Sequence, residues 1–131
     1  MQGCRKLTIR YNTLMALSSF KDLIVWQKSM VLVKSVYALT RELPKEEVYG
    51  LSSQIRRSAI SIPSNIAEGS KRGTSKDYVQ FLKIAYGSSA ELETQLIIIQ
   101  DIYPEVQNTK DALVLCDEVQ KMLSTIIKKI K

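Results

Sequence analysis

Hydrophobic residues recur at helical spacing in four segments of the chain. In the first segment, residues 22–43, two adjacent apolar stripes advance in steps of three and four residues. One stripe contains Leu23, Trp26, Met30, Val33 and Tyr37, and the other contains Val25, Leu32, Val36, Leu39 and Leu43. Two neighbouring stripes predict a helix with a wide buried face. Pro44 then ends this helix.

The second segment has one apolar side and contains a proline. Its apolar side is formed by Val48, Leu51, Ile55, Ala59, Ile62 and Ile66. A proline inside a helix removes a backbone hydrogen bond and bends the axis. Pro63 therefore leaves two alternatives, one bent helix or two short helices, and we favour one bent helix that ends near Gly69.

The third and fourth segments each begin with a capping pattern. Thr74 stands three residues before Asp77, and Asn108 stands three residues before Asp111. Side-chain oxygens of Thr and Asn at such positions accept hydrogen bonds from first-turn amides. The third segment carries apolar or small residues at heptad spacing, at Tyr78, Leu82, Ala85, Ser89, Leu92, Leu96, Ile99 and Tyr103, and Pro104 ends it. The fourth segment has its stripe at Ala112, Leu115, Val119, Met122, Ile126 and Ile130.

Four amphipathic helices with short connections are typical of an all-α fold. The pattern predicts an antiparallel up-and-down four-helix bundle with a proline-kinked second helix. Residues 1–17 stand apart, because they contain Arg5, Lys6 and Arg10 but no acid and no clear apolar period. Met15 opens a run just before the first helix, so residues 1–14 are an upstream start or a basic arm. We expect residues 1–17 to form a poorly ordered basic extension and residues 18–131 to form the bundle domain.

The composition excludes several kinds of catalytic site. The chain has no histidine and only 2 cysteines, so it has no imidazole base, no histidine metal ligand and too few thiolates for a structural zinc site. Cys116 lies on an apolar stripe and is expected to be a small core residue. Glu91 and Glu93 point about 200° apart on a helix and cannot share a metal. Glu68 could assist nuclease chemistry only if folding brought other acids beside it. We expect a non-enzymatic protein with no catalytic residue, metal or cofactor.

No segment is apolar over enough residues to be a membrane anchor or a signal. The longest purely aliphatic runs, Met30–Val33 and Leu96–Ile99, have four residues each. With two widely separated cysteines, the chain is expected in a reducing compartment, the cytoplasm.

Charge is distributed unevenly along a chain whose formal net charge is +6. Residues 52–83 contain six bases and two acids, whereas residues 84–107 contain four acids and no base. Exposed bases around a helix N-terminus attract phosphate. The expected nucleic-acid contacts are Arg56, Arg57, Lys71, Arg72, Lys76 and Lys83. The alternative is an ordinary solvated face of a basic protein.

Three runs of sequence resemble a known family. FKDLIVWQKSMVL, YGLSSQIRRSAISIPSNIAEGSKRG and FLKIAYGSSAELETQL are similar to the four-helix-bundle family of the 23S rRNA intervening-sequence proteins, which is related to the accessory variability determinant of diversity-generating retroelements. The resemblance covers about residues 20–127 and implies a homopentameric ring that offers basic surface to nucleic acid. It also implies structural or interface roles for Gln54, Pro63, Ser64, Asn65, Glu68, Ser88 and Glu91.

Two functions remain open at this point. The first is a non-enzymatic oligomeric bundle, a homopentamer in the bacterial cytoplasm, that binds the backbone of RNA or DNA as an accessory or scaffold. A reverse transcriptase or another protein is a further candidate partner, since the retroelement branch acts with such an enzyme. The second is a structural protein-interaction scaffold with no direct nucleic-acid binding.

Overall fold

The computed structural model describes residues 19–130 and is helical, with no strand, over that range. Four helices, α1 (Ile24–Thr40), α2 (Leu51–Ser70), α3 (Ser75–Ile102) and α4 (Thr109–Ile130), are accompanied by two short 3-10 turns, Phe20–Asp22 and Lys45–Glu47. The predicted all-α class is therefore confirmed. The extension expected at residues 1–17 lies outside the described residues.

Each helix packs antiparallel against the next, and α4 returns to pack against α1. The most extensive contacts join α2 to α3 and α3 to α4. Short connections force consecutive helices to be antiparallel neighbours. The predicted antiparallel four-helix bundle is therefore confirmed. No helix within residues 19–130 combines the length and the apolar character needed to cross a membrane.

The two apolar stripes of α1 lie in different environments. Val25, Leu32, Val36 and Leu39 are buried in the core, whereas the stripe that includes Trp26 is only half-buried beyond Leu23. The expectation of a helix up to Leu43 is wrong, because α1 ends at Thr40. Leu43 lies in the turn that follows α1, and its side chain is still buried. Only one edge of the apolar face of α1 therefore lies in the core.

Helix α2 runs without interruption from Leu51 to Ser70, with Pro63 inside it. Of the two alternatives, one helix rather than two short helices is present, and it ends next to Gly69 as expected. Pro63 is buried. A bend of the helix axis at this residue stays a prediction.

The buried side of α4 is rotated relative to the predicted stripe. Its buried residues are Thr109, Ala112, Cys116, Val119, Leu123 and Ile127. Leu115, Met122, Ile126 and Ile130 lie at the edge of the core. An amphipathic helix has an apolar face wider than one heptad stripe, and its neighbours decide which part is covered. The expectation that Cys116 is a small core residue is confirmed.

Carboxylates connect the two loops at the end of the bundle where α1 and α3 finish. The hydroxyl of Tyr103 donates a hydrogen bond to Glu47 Oε2 at 2.5 Å, and Glu47 Oε1 accepts one from the amide of Leu51 at 3.2 Å. Glu42 Oε1 accepts a hydrogen bond from the amide of Gln107 at 3.1 Å. Hydrogen bonding to Glu47, with partial desolvation, raises the pKa of Tyr103 to about 12.

Candidate nucleic-acid interface

The antiparallel topology separates the charges of the bundle into two unequal halves. The hydroxyls of Ser61 and Ser88, 2.8 Å apart, lie near the middle of α2 and α3. The basic half, residues 19–31, 61–88 and 118–130, contains nine basic and four acidic residues. The acidic half, residues 32–60 and 89–117, contains six basic and nine acidic residues. Charges that are far apart in the sequence are therefore collected at two ends of one bundle.

The turn between α2 and α3 lies at the basic end. A Cβ on Gly69 would be 2.7 Å from Cβ of Phe81, so glycine lets the two helices approach closely here. Gly73 has φ +91°, a conformation that favours glycine. Thr74 Oγ1 accepts a hydrogen bond from the amide of Asp77 at 3.1 Å. The predicted Thr74 cap is confirmed, and it fixes the start of α3.

Four of the six predicted contact residues lie at or near this turn. Lys71, Arg72, Lys76 and Lys83 are exposed. Arg72 Nη2 donates to Glu68 Oε2 at 2.8 Å, and its Cζ lies 4.8 Å from the centroid of the Phe81 ring. An exposed ion pair of this kind contributes little to stability, and the Arg72 side chain retains 49% exposure. The three lysines make no ion pair within residues 19–130.

The other two predicted contact residues lie in the acidic half. The Nε of Arg56 donates to Thr40 Oγ1 at 2.9 Å, and its Cζ lies 4.5 Å from the centroid of the Tyr37 ring. Arg56 is half-buried and links α2 to the last turn of α1. Arg57, its neighbour, is exposed. The structure therefore does not gather all six residues into one surface.

The sequence-based prediction missed bases that the fold adds to the basic half. Lys128 and Lys129 are exposed in the last turn of α4, which ends where α2 ends and α3 begins. Lys21 and Lys121 are exposed in the same half. The sequence contained the information needed to include Lys128 and Lys129. In an antiparallel bundle the C-terminal end of the fourth helix lies beside the connection between the second and third helices.

The sequence model of the family described as 23S rRNA-intervening sequence protein matches residues 21–125. The chain belongs to this family. Its fold is similar to a crystal structure of a protein with unknown function from the S23 ribosomal protein family, from Bacteroides thetaiotaomicron VPI-5482. The two are 26% identical with a TM-score of 0.71, over 80% of this chain and 99% of that chain. No curated protein matches the chain.

Several motif residues of the family meet along the contact between α2 and α3. Asn65 Nδ2 donates to the carbonyl oxygen of Ser61 at 2.8 Å and to its hydroxyl at 2.9 Å, and Ser61 is in turn hydrogen-bonded to Ser88. This polar chain gives Asn65 and Ser88 structural partners. The remaining motif positions differ in exposure: Gln54, Ser64, Glu68 and Glu91 are exposed, and Pro63 is buried.

The acids considered for catalysis lie in separate environments. Glu93 Oε1 accepts a hydrogen bond from Gln120 Nε2 at 3.0 Å, while Glu91 is exposed. Glu68 is paired with Arg72 rather than with other acids. Within residues 19–130, no group of three or more acids and cysteines could hold a metal ion.

Cys116 is placed as a structural residue of the core. Burial raises the pKa of its thiol to about 12, and the thiol donates to the carbonyl oxygen of Ser89 at 3.3 Å. A thiol with so high a pKa remains protonated near neutral pH and is a poor nucleophile. Its role is to pack α4 against α3.

Proposed function

We propose that the protein is a non-enzymatic oligomeric bundle that binds the phosphate backbone of RNA or DNA through its basic half. One observation carries the proposal. Five exposed lysines, one from the turn after α2 and two each from α3 and α4, are collected near one end of the bundle and have no ion-pair partner within residues 19–130, namely Lys71, Lys76, Lys83, Lys128 and Lys129. Arg72 extends this surface, since its side chain remains about half exposed despite its ion pair with Glu68.

The chemistry of the surface favours a phosphate backbone over a particular base sequence. Lysine is a flexible point charge, and each lysine that contacts a phosphate releases condensed counterions. Binding of this kind is largely independent of sequence and falls steeply with salt. The family description names 23S rRNA, so ribosomal RNA is the first ligand to test. Contact through Arg56 and Arg57 would form a second, separate surface.

We propose further that the chain assembles into a homopentamer in the cytoplasm. The resemblance to the family suggests a ring, and α3 has an unusually apolar exposed side that includes Ile84, Ile98 and Ile102. Gly87 lies on the same helix with open space around its Cβ position, which allows close approach of another helix. Five chains would carry a formal charge of +30, so weak individual sites would act together.

Light scattering coupled to size exclusion tests the assembly. We expect about 74 kDa, five times the 14.8 kDa of one chain. A monomer at micromolar concentration would remove the ring from the proposal.

The binding site is tested by reversing charges in one half at a time. The first variant changes Lys71, Lys76, Lys128 and Lys129 to Glu. The matched control changes four exposed bases of the acidic half, Lys34, Arg41, Lys45 and Lys110, to Glu. Both variants change the net charge equally, so a difference between them reports location. Fluorescence anisotropy against a 23S rRNA fragment, and against single-stranded DNA of equal length, is measured over a range of salt concentrations.

We expect the first variant to bind with much lower affinity than the unaltered protein. The slope of log K against log salt should fall by about 0.7 to 0.9 for each phosphate that no longer has a basic partner. The control should retain most of the slope. Equal reductions in both variants, or no binding by the unaltered protein at low salt, would contradict a site in the basic half.

A protein-interaction scaffold is the second candidate function. The observation that favours it is apolar surface in the acidic half beyond the α3 residues assigned to the ring, where Ile97 and Val114 are exposed. A protein partner, whether a reverse transcriptase or another protein, would explain such a surface. Absence of nucleic-acid binding together with normal folding and assembly would favour this candidate.

A further inference from the structure

A groove between α3 and α4 in the basic half exposes an aromatic ring. The groove has a volume of about 400 Å³ and is lined by Tyr86, Gln120, Lys121, Ser124 and Thr125. Tyr86 is 43% exposed, and the other four residues are polar or charged. Small-molecule sites have volumes of roughly 300–1,000 Å³, so the groove has room for a planar ligand ring.

Tyr86 differs from the other aromatic residues of the basic half. Within the described chain there are four others, and each is buried or has a partner: Phe20, Trp26, Tyr78 and Phe81. The first two pack edge-on against each other, with 5.4 Å between ring centroids. The third is buried, and the guanidinium of Arg72 lies over the ring of the fourth. The ring of Tyr86 has no aromatic or cationic partner within residues 19–130, so a ligand can stack on it.

Tyr86 lies on the side of α3 that faces α4. Glu93, two turns further along the same side, accepts a hydrogen bond from Gln120 of α4 at 3.0 Å. Ile84 belongs to the apolar side that we assign to the ring assembly. It is two positions from Tyr86, so the two side chains point about 200° apart around the helix axis. Assembly through the side of Ile84 would therefore leave the groove open.

Three lysines flank the groove. Lys83 is one turn before Tyr86 on α3, and Lys128 is one turn beyond the groove residues of α4. Neither lysine has an ion pair within residues 19–130. Lys121 pairs with Asp117 at 3.0 Å, but its side chain is 77% exposed, and an exposed pair of this kind is weak. A phosphate beside the groove would therefore meet positive charge from both helices.

The groove also contains polar atoms that the fold does not use. Gln120 donates through its Nε2 atom, whereas its carbonyl oxygen has no hydrogen-bond partner within residues 19–130. The hydroxyl of Ser124 has no partner in that range either. Proteins hold unpaired bases by stacking them on aromatic rings and by hydrogen bonds to the base edges. The groove offers both kinds of contact next to phosphate-binding lysines.

We propose that the α3–α4 groove binds an unpaired base of single-stranded nucleic acid, which stacks on the ring of Tyr86. This inference rests on the proposed function, because the lysines of the basic half hold the phosphates on either side of the base. A base in a duplex is already stacked and paired. The groove thus adds a preference for single strands, which charge alone does not give.

Substitution of Tyr86 tests the stacking contact. Tyr86→Leu removes the aromatic face and keeps an apolar side chain that favours helix, whereas Tyr86→Phe keeps the ring. Tyr49→Leu is the matched control, because Tyr49 is 97% exposed in the acidic half. Fluorescence anisotropy is measured over a range of salt concentrations with three RNA probes of equal length. They are a single strand, the same strand with abasic sites in place of its bases, and a duplex. Circular dichroism checks that each variant is folded.

We expect Tyr86→Leu to bind the single strand about five- to 100-fold more weakly, which is the effect of losing one base–aromatic stack. The slope of log K against log salt should not change, because no charge is removed. Affinity for the abasic strand and for the duplex should also be unchanged, since neither offers an unpaired base. Tyr86→Phe and Tyr49→Leu should bind all three probes as the unaltered protein does.

Three results would overturn the inference. The first is a loss of affinity in Tyr86→Leu that is equal for all three probes, which would make Tyr86 a structural residue. The second is displacement of the single strand by adenosine monophosphate at a similar nucleotide concentration, which would assign the groove to a free nucleotide. The third is unchanged affinity of Tyr86→Leu for the single strand.

The charge-reversed variant of the basic half separates this third result from failure of the proposed function. If that variant loses affinity while Tyr86→Leu does not, base stacking is excluded and backbone binding by the basic half stands. If the unaltered protein binds none of the three probes at low salt, the proposed function fails, and base stacking fails with it.

Discussion

The basic and acidic halves of the bundle share one core but use their charged residues differently. Leu82 in the basic half and Leu92 in the acidic half are both fully buried. In the acidic half, Glu42, Glu47 and Arg56 are engaged in hydrogen bonds that hold loops and helix ends. In the basic half, most of the lysines have no such structural partner within residues 19–130. The acidic half also has exposed bases without an ion pair, such as Lys34 and Lys110, but its acids outnumber its bases, so only the basic half has a surplus of positive charge for a ligand.

This difference in charge would also orient the bundle relative to a nucleic acid. A phosphate backbone attracts the basic half and repels the acidic half, so the bundle would approach nucleic acid with the turn between α2 and α3 in front. The apolar surface around Ile97 and Val114 would then face away from the nucleic acid. Under the proposed function, only the basic half would contact the nucleic acid.

The largest expected effect tests whether the core is common to both halves. Leu82→Ala and Leu92→Ala should each reduce the free energy of unfolding by about 2 to 5 kcal/mol, because each removes fully buried methyl groups. Chemical denaturation measures both. Val31→Ala, at a side chain that is 54% exposed, is the control and should change stability by less than about 0.5 kcal/mol. A small effect at only one of the two leucines would show that the halves are packed differently.

An intermediate effect distinguishes structural arginines from free ones. Arg56→Leu removes a hydrogen bond to Thr40 and a cation–π contact with Tyr37, and should reduce the free energy of unfolding by about 1 to 3 kcal/mol. Arg57→Leu, at the exposed neighbouring position, should cost less than about 0.5 kcal/mol. Thermal and chemical denaturation measure both variants. If Arg56→Leu reduced the free energy of unfolding no more than Arg57→Leu does, Arg56 would have no structural role.

The smallest effect concerns the carboxylate-linked loops of the acidic half. The pKa of Tyr103 is raised from 10.0 to about 12, so its hydrogen bond to Glu47 contributes fully below pH 10. Above pH 10 the unfolded tyrosine ionises first, and this contribution is lost as the pH rises through about 12.

Melting temperature against pH measures this loss. The unaltered protein should lose stability more steeply over this range than Tyr103→Phe. Tyr49→Phe is the control, because Tyr49 is 97% exposed, and its profile should follow that of the unaltered protein. Identical profiles for all three proteins would exclude a contribution from the Tyr103–Glu47 contact.

Much of the fold was predictable because its determinants are local. Helical periodicity depends on residues three and four apart, and the Thr74 cap depends on a pair three apart. The burial of Cys116 and the presence of Lys71, Arg72, Lys76 and Lys83 at or near one turn also followed from nearby sequence. These features need no knowledge of which helices meet.

Other features were decided only when the helices packed. Spacing alone does not show which edge of a wide apolar face is covered, so the buried side of α4 and the half-buried stripe of α1 depended on their neighbours. Arg56 became a structural residue because α1 brings Tyr37 and Thr40 beside it. Lys128 and Lys129 joined the basic half because α4 ends beside the turn between α2 and α3. The sequence by itself determined the helices and their apolar sides. The tertiary structure decided which charged residues are free and which lie together, because the surroundings of a charged residue depend on contacts between residues far apart in the chain.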